Sequence, residues 1–235
     1  MKKVKWILQH NLINEDLLKQ LTESILSNDG IVEEIRIIPF SDEMSFAGDI
    51  QDEDIIVLYG STTLLLNAYK NEKLRRGLFF NPSSFQMDNY NQYWKEHMLN
   101  FDSAILSPDE LMETTKYDDG NYFIHPNEDT KLFTGGVMNI KEFKNDLQKE
   151  KVVSASRYVM NGELSVDETD IPHDLISFIE ERFEEYTPHD IFVMDIALVN
   201  DEYKIIECNC FNGTGFYNHN IDKIIKEINN FLLSR

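Results

Sequence analysis

The first seventy residues alternate between short apolar runs and amphipathic stretches, and this alternation limits the possible folds most strongly. Apolar runs at residues 4–8, 34–38 and 55–59 predict three strands. Between the first two, apolar residues recur at helical spacing, with Asn14 as a helix N-cap and Gly30 after the last turn. Because strands that alternate with helices usually form a parallel sheet, the pattern predicts an α/β fold.

Length, composition and charge narrow the classes of protein. The chain has 235 residues, 42% of them apolar, which is enough for a core, and no apolar run approaches the ~18 residues of a membrane span. The basic N-terminus lacks the long apolar region of a signal peptide, so we expect a cytoplasmic protein that does not enter membranes. A net charge of −20 argues against nucleic acid as a partner. Dimers are common among soluble enzymes, so a homodimer is a candidate assembly.

The remainder of the chain mixes strands and helices without a repeat or a flexible linker. Residues 77–104 are aromatic without a clear period, which predicts a connecting layer packed by rings. Further strands are predicted at 122–126, 152–160, 191–199 and 203–209, and helices at 140–149, 174–186 and 221–233.

Acidic side chains lie on the last two predicted strands, which are joined by a turn near Asn200. Asp195 lies within the first strand, where a carboxylate is costly unless it is paired or bound to a metal. Antiparallel pairing would place it opposite Glu207 and Asn209, on one face of the second strand. Hard oxygen ligands of this kind suit Mg²⁺. The same spacing also fits solvated residues on an open sheet face.

The cysteines and two polar turns each permit a second interpretation. Cys208 and Cys210 are too few for a closed zinc site and are expected to face the core. Lys131, followed by Gly135 and Gly136, could bind phosphate oxygens, or the lysine could simply face water. The Gly-Ser-Thr-Thr turn at residues 60–63 could hold an anion at a helix N-terminus, although an ordinary capped turn is the more common case.

The order of these motifs resembles the ATP-grasp superfamily. The resemblance rests on a strand ending in proline, a polar loop with Lys and Gly, an Asp in a strand, and Glu-x-Asn on its partner. The sequence from Ile206 to Tyr217, with Phe-Asn and Gly-Phe-Tyr after Glu-x-Asn, is similar to a branch of small bacterial and phage-encoded ATP-grasp proteins. Residues 6–9, 39–40 and 59–61 resemble that branch as well, so the similarity spans nearly the whole chain.

The resemblance implies a fold and a division into domains. It implies α+β lobes in an ATP-grasp fold, preceded by an N-terminal Rossmann-like pre-ATP-grasp domain. The N-terminal domain would comprise residues 1–115 and the ATP-grasp domain residues 116–235. Within the latter, the central lobe would comprise about 120–165 and the C-terminal lobe about 166–235.

The resemblance also assigns roles to individual residues around ATP and Mg²⁺. Asp195, Glu207 and Asn209 would be the metal ligands, and Lys131 would contact the phosphates. Arg157 resembles a basic residue that stabilises the transferring phosphate, so Lys131 and Arg157 are the candidate catalytic residues. The remaining nucleotide contacts would come from His125, which stands where the family usually has Lys or Arg, from Gly135 and Gly136, and from Val153 and Ser154 beside the adenine.

The activity implied is that of an ATP- and magnesium-dependent carboxylate–amine or peptide ligase, which works through an acyl phosphate. Its substrates would be a carboxylate and an amine, either small molecules or peptides, with Asn212, Gly215 and Tyr217 on the acceptor side. Two alternatives stay open at this point. One is a kinase that transfers phosphate without ligation, and the other is a nucleotide-binding regulatory or degenerate module.

Overall fold

The computed structural model describes residues 2–11, 14–38, 43–46, 48–101, 103–117, 119–124, 136–148, 172–217 and 219–235. Within these ranges the chain is a mixed α/β protein in which helices pack against sheets, as the alternating pattern predicts. The predicted strand at residues 152–160 lies outside the described ranges. No helix in the described part of the chain combines the length and the apolar character needed to cross a membrane.

The strands and helices of the described residues include most of those predicted from the sequence, together with short elements that were not predicted. The strands are β1 (Val4–Gln9), β2 (Ile31–Ile37), β3 (Met44–Phe46), β4 (Ile55–Tyr59), β5 (Asn121–Ile124), β6 (Gly136–Asn139), β7 (Phe192–Val199) and β8 (Glu202–Cys210). The helices are α1 (Glu15–Ser27), α2 (Thr62–Tyr69), α3 (Glu72–Arg75), α4 (Met87–Trp94), α5 (Pro108–Glu113), α6 (Ile140–Gln148), α7 (His173–Glu185) and α8 (Ile221–Leu233). Short 3₁₀ turns cover Lys95–His97 and Phe211–Gly213.

A four-stranded sheet forms the centre of the N-terminal half, in the order β3-β2-β1-β4. β1 pairs in parallel with β2 on one side and with β4 on the other, which confirms the expected parallel sheet. β3 adds an antiparallel edge that the sequence did not predict, since three residues are too few for a readable period. Helix α1 begins as predicted, because the Asn14 side chain accepts hydrogen bonds from the Asp16 and Leu17 amides.

Both faces of this sheet are covered, because alternate residues of β1 point to opposite sides. On one side, fully buried Trp6 lies in a core with residues of α1 and α8. On the other side, fully buried Ile7 lies in a core with α2, with the aromatic residues of the 77–104 layer, and with β8. The expected aromatic packing of that layer is thus confirmed, since Phe80, Phe85 and Trp94 are buried there.

The C-terminal segment packs directly on the N-terminal sheet. Trp6 Nε1 donates to Asn229 Oδ1 of α8 at 2.9 Å, in the buried interior. Ile205, Cys208 and Cys210 of β8 join the core on the Ile7 side. Both cores therefore combine residues from either side of the predicted domain boundary at residue 115.

Candidate functional site

The hairpin formed by β7 and β8 carries the predicted metal ligands. Its two-residue turn consists of Asn200 and Asp201, whose φ angles are 50° and 64°. Positive φ at both central residues is the requirement of a type I′ turn, and Asn and Asp tolerate that conformation better than most residues. The strands pair antiparallel from Val199 opposite Glu202 back to Phe192 opposite Cys210. The predicted hairpin is confirmed.

A β-bulge sets which side chains of the hairpin face outward. Asp195 pairs with Glu207, whereas the next residue, Ile196, pairs with Ile205, so Ile206 is the extra residue. Because the extra residue reverses the alternation, Ile205 faces the core together with the two buried cysteines. Without this bulge, Ile205 would lie on the face that carries Glu207.

On the opposite face of the hairpin, three polar side chains converge. Asp195 and Glu207 lie directly opposite each other, and Asn209 lies two residues further along β8. Asn209 Nδ2 donates to Glu207 Oε1 at 2.9 Å and to Asp195 Oδ2 at 3.3 Å. All three side chains are half-buried. The amide therefore lies against both carboxylates and offsets the repulsion between two acids placed side by side.

This set consists of two carboxylates and an amide, and it contains no thiolate or imidazole. Cys208 and Cys210 are free thiols, and their 2% and 3% exposure confirms the prediction that they face the core. Across the described ranges, no group of three or more His, Cys, Asp and Glu side chains is arranged to hold a metal ion. The polar face of the hairpin nevertheless brings two carboxylates and one carboxamide together, as the sequence predicts.

Most of the residues predicted to contact the nucleotide lie outside the described residues. They are His125, Lys131, Gly135, Val153, Ser154 and Arg157. Gly136 is described and begins β6, which pairs antiparallel with β5 from Ile124 opposite Gly136. The predicted polar loop, residues 127–136, lies outside the described residues except for Gly136.

Asn212, predicted to lie on the substrate side, holds the fold together instead. Its side chain is fully buried, and Oδ1 accepts from the Phe79 amide at 2.5 Å. Its Nδ2 donates to the carbonyl oxygens of Leu58 and Gly77, at 2.6 and 3.0 Å. Because these three bonds occupy the carboxamide, we leave Asn212 out of the substrate-contacting set. The side chain joins β4 to the segment after α3.

The other two predicted substrate residues, Gly215 and Tyr217, lie on the surface of the loop that follows β8. Tyr217 is 65% exposed and has a φ of 45°. The base of the loop is fixed by the Tyr59 hydroxyl, which donates to the Thr214 carbonyl at 2.5 Å. Burial, with a smaller contribution from Tyr217, raises the pKa of Tyr59 well above its usual value, so this hydroxyl stays a hydrogen-bond donor into alkaline pH. The loop tip is accessible to a ligand.

One polar residue near this loop was missed by sequence reasoning. Gln9 ends β1 and is fully buried, and its Oε1 accepts from both the amide and the hydroxyl of Ser61. The available signal was a polar residue directly after the buried run of residues 4–8. By itself, that signal indicates only that the apolar run ends there.

Comparison with known proteins found no relative of this chain. The chain matches no protein-family model, no curated protein and no solved structure.

Proposed function

We propose that this chain is an ATP- and magnesium-dependent ligase that joins a carboxylate to an amine. The observation that carries the proposal is the convergence of Asp195, Glu207 and Asn209 on one face of the β7–β8 hairpin. Two strands and a bulge hold these groups side by side, where carboxylates without a compensating cation or donor would repel each other. The Asn209 amide offsets part of this repulsion, and a bound cation would offset it further.

The donor chemistry fits magnesium. Mg²⁺ prefers carboxylate and amide oxygens, and it usually keeps several waters while sharing its shell with substrate phosphates. Asp195 and Glu207 supply the two carboxylates, and rotation of the Asn209 carboxamide would present Oδ1 in place of Nδ2. Magnesium bound there would offset the negative charge that builds up on the phosphoryl group during transfer.

The phosphates would be held by residues from the central part of the chain. Lys131 and Arg157 are the proposed cationic contacts, with His125 and the amides around Gly135 and Gly136 as further donors. Val153 and Ser154 are proposed beside the adenine.

The reaction then needs no side-chain nucleophile. A carboxylate oxygen of the substrate attacks the γ-phosphorus of ATP, and the bond from that phosphorus to the bridging oxygen breaks to release ADP. The amine attacks the carbonyl carbon of the acyl phosphate, inorganic phosphate leaves, and the amine loses a proton. The chain's contribution is to position the reactants and to stabilise charge.

Product analysis tests this proposal. The protein is incubated with Mg–ATP and a panel of amino acids and short peptides, and ADP release and product masses are measured. We expect ADP release that depends on both a carboxylate and an amine, with a product lighter than its two parents by one water. A stable phosphorylated product would show a kinase instead. ATP binding without ADP release under any condition would favour a regulatory module.

A further inference from the structure

The turn between β4 and α2 lies at the point where the order of the parallel strands reverses, with β2 on one side of β1 and β4 on the other. From β1 the chain passes through α1 to β2 on one side and later returns to the other side of β1 as β4. The carboxyl ends of β1 and β4 therefore flank a topological switch point, the position at which open α/β sheets bind ligands. Gln9 ends β1 there, and Gly60 and Ser61 follow β4.

This turn presents hydrogen-bond donors from the first turn of α2. Ser61 caps the helix, since its hydroxyl accepts from the Leu64 amide. Within the described residues, nothing accepts from the Thr62 and Thr63 amides, and Thr63 is exposed. Amides at a helix N-terminus carry partial positive charge and attract anions.

Gln9 provides a second, independent indication of a ligand. Its side chain is fully buried against the turn, and Oε1 accepts from the Ser61 amide at 2.8 Å and from the Ser61 hydroxyl at 2.9 Å. The Nε2 of the same carboxamide is buried and has no hydrogen-bond partner. Because an unpaired buried donor is costly, a polar group that reaches it would recover that lost stability.

The turn is also tied to the segment that follows the proposed metal ligands. The Gly60 amide donates to the Asn212 carbonyl at 2.9 Å. Asn212 is three residues from Asn209, so their Cα atoms lie within about 11 Å of each other. The turn is therefore linked by one hydrogen bond to the chain three residues beyond the last proposed metal ligand.

We infer that the turn formed by Gln9 and residues 60–63 binds a carboxylate of the ligase substrate, and specifically one that does not react. The reacting carboxylate must meet the γ-phosphate at the hairpin face, so a group held at this turn serves as an anchor. Residues 60–63 include no Lys or Arg to offset a second negative charge, so we assign the site to a singly charged carboxylate rather than a phosphate dianion. The inference rests on the proposed function.

Nuclear magnetic resonance of the full chain, without nucleotide, tests the site. The probe is N-acetylglycine, whose carboxylate is its only charge, and the matched neutral probe is N-acetylglycinamide. We expect saturable shifts of the Thr62 and Thr63 amide signals and of the Gln9 side-chain NH₂ with the carboxylate only. Equal shifts with both probes, or no shift at these groups, would overturn the inference.

Two variants of Thr62 separate its amide from its side chain. Thr62→Pro removes the N–H at the first position of α2, where proline is well tolerated, and Ser61, at φ −72° and ψ 161°, already has the conformation that precedes proline. Thr62→Ala keeps the N–H. We expect Thr62→Pro to raise the Kd of N-acetylglycine by roughly tenfold or more and Thr62→Ala to leave it nearly unchanged. Equal affinity in both variants would contradict the proposed donor.

Titration of Mg–ATP into the same variants distinguishes this inference from the proposed function. Both variants should bind Mg–ATP like the parent, because neither alters the hairpin face. If the parent binds Mg–ATP but the carboxylate probe does not shift the turn, the anchor site is wrong and the ligase proposal stands. If the probe binds and Mg–ATP does not, the carboxylate site stands and the ligase proposal fails.

Discussion

At the scale of single residues, the buried carboxamides of Asn212 and Gln9 have different roles. Asn212 makes three hydrogen bonds to main-chain groups, two through Nδ2 and one through Oδ1, so it fixes the position of β4 against the segment that leads to Phe79. Gln9 uses only its oxygen and leaves Nε2 without a partner. Asn212, with both N–H donors paired, contributes to the fold, whereas we attribute the unpaired buried donor of Gln9 to a ligand site.

Replacing Asn212 by alanine should strongly destabilise the protein. The substitution removes the side-chain partner of the Phe79 amide and of the Leu58 carbonyl in the interior, at a cost of about 1–3 kcal/mol for each unsatisfied group. The Gly77 carbonyl keeps its bond from the Leu58 amide. We expect Asn212→Ala to lower the free energy of unfolding in urea by roughly 3 kcal/mol or more. Asn230→Ala, on the exposed side of α8, is the matched control and should change stability little. Similar stability of both variants would contradict a structural role for Asn212.

At the scale of elements, the alternation of apolar residues predicts much of what is observed. Strands β1 and β4, helix α1 with its Asn14 cap, and the final helix α8 lie where apolar spacing places them. The β7–β8 hairpin also follows from the pattern, but the pairing of Asp195 with Glu207 does not. The turn alone, with Val199 opposite Glu202, would place Asp195 opposite Ile206, and the bulge shifts it to Glu207.

Other elements could not be predicted, for identifiable physical reasons. The bulge at Ile206 leaves no mark in the composition of β8, because an extra apolar residue in an apolar strand looks like an ordinary member. The structural role of Asn212 could not be predicted, because it depends on a contact with Phe79, which is distant in sequence. Helix α5 has only six residues, too few for a readable period, although its Ser107–Glu110 capping box is a local signal that was overlooked.

The β7–β8 turn allows a test at the scale of this element. Both turn residues have positive φ, and glycine adopts that conformation without the steric cost of a Cβ atom. We expect Asp201→Gly to raise the free energy of unfolding by roughly 0.5 kcal/mol, as measured by urea denaturation. Asp201→Ala should lower it, because alanine keeps the Cβ atom and loses the polar side chain that tolerates this conformation. The reverse order would show that the turn is not type I′.

At the scale of the whole molecule, the C-terminal segment completes the structure that the N-terminal sheet begins. Helix α8 covers one face of the sheet, and Asp222 at its start accepts hydrogen bonds from Ser24 and Asn28. The β7–β8 hairpin helps to cover the other face, through Cys208 and Cys210. The proposed metal face, in the C-terminal segment, and the turn at residues 60–63, in the N-terminal half, are consequently both held against the same sheet.

The central claim is that the hairpin face binds magnesium together with a nucleotide, and calorimetric titration of ATP tests it most directly. The parent protein should bind ATP in the presence of Mg²⁺ and lose this binding when a chelator is added. Glu207→Gln should weaken Mg–ATP binding by roughly tenfold or more, since it removes a ligand charge while preserving shape. Glu184→Gln, on the exposed surface of α7, should bind like the parent. If Glu207→Gln bound Mg–ATP as tightly as the parent, the metal assignment would be wrong.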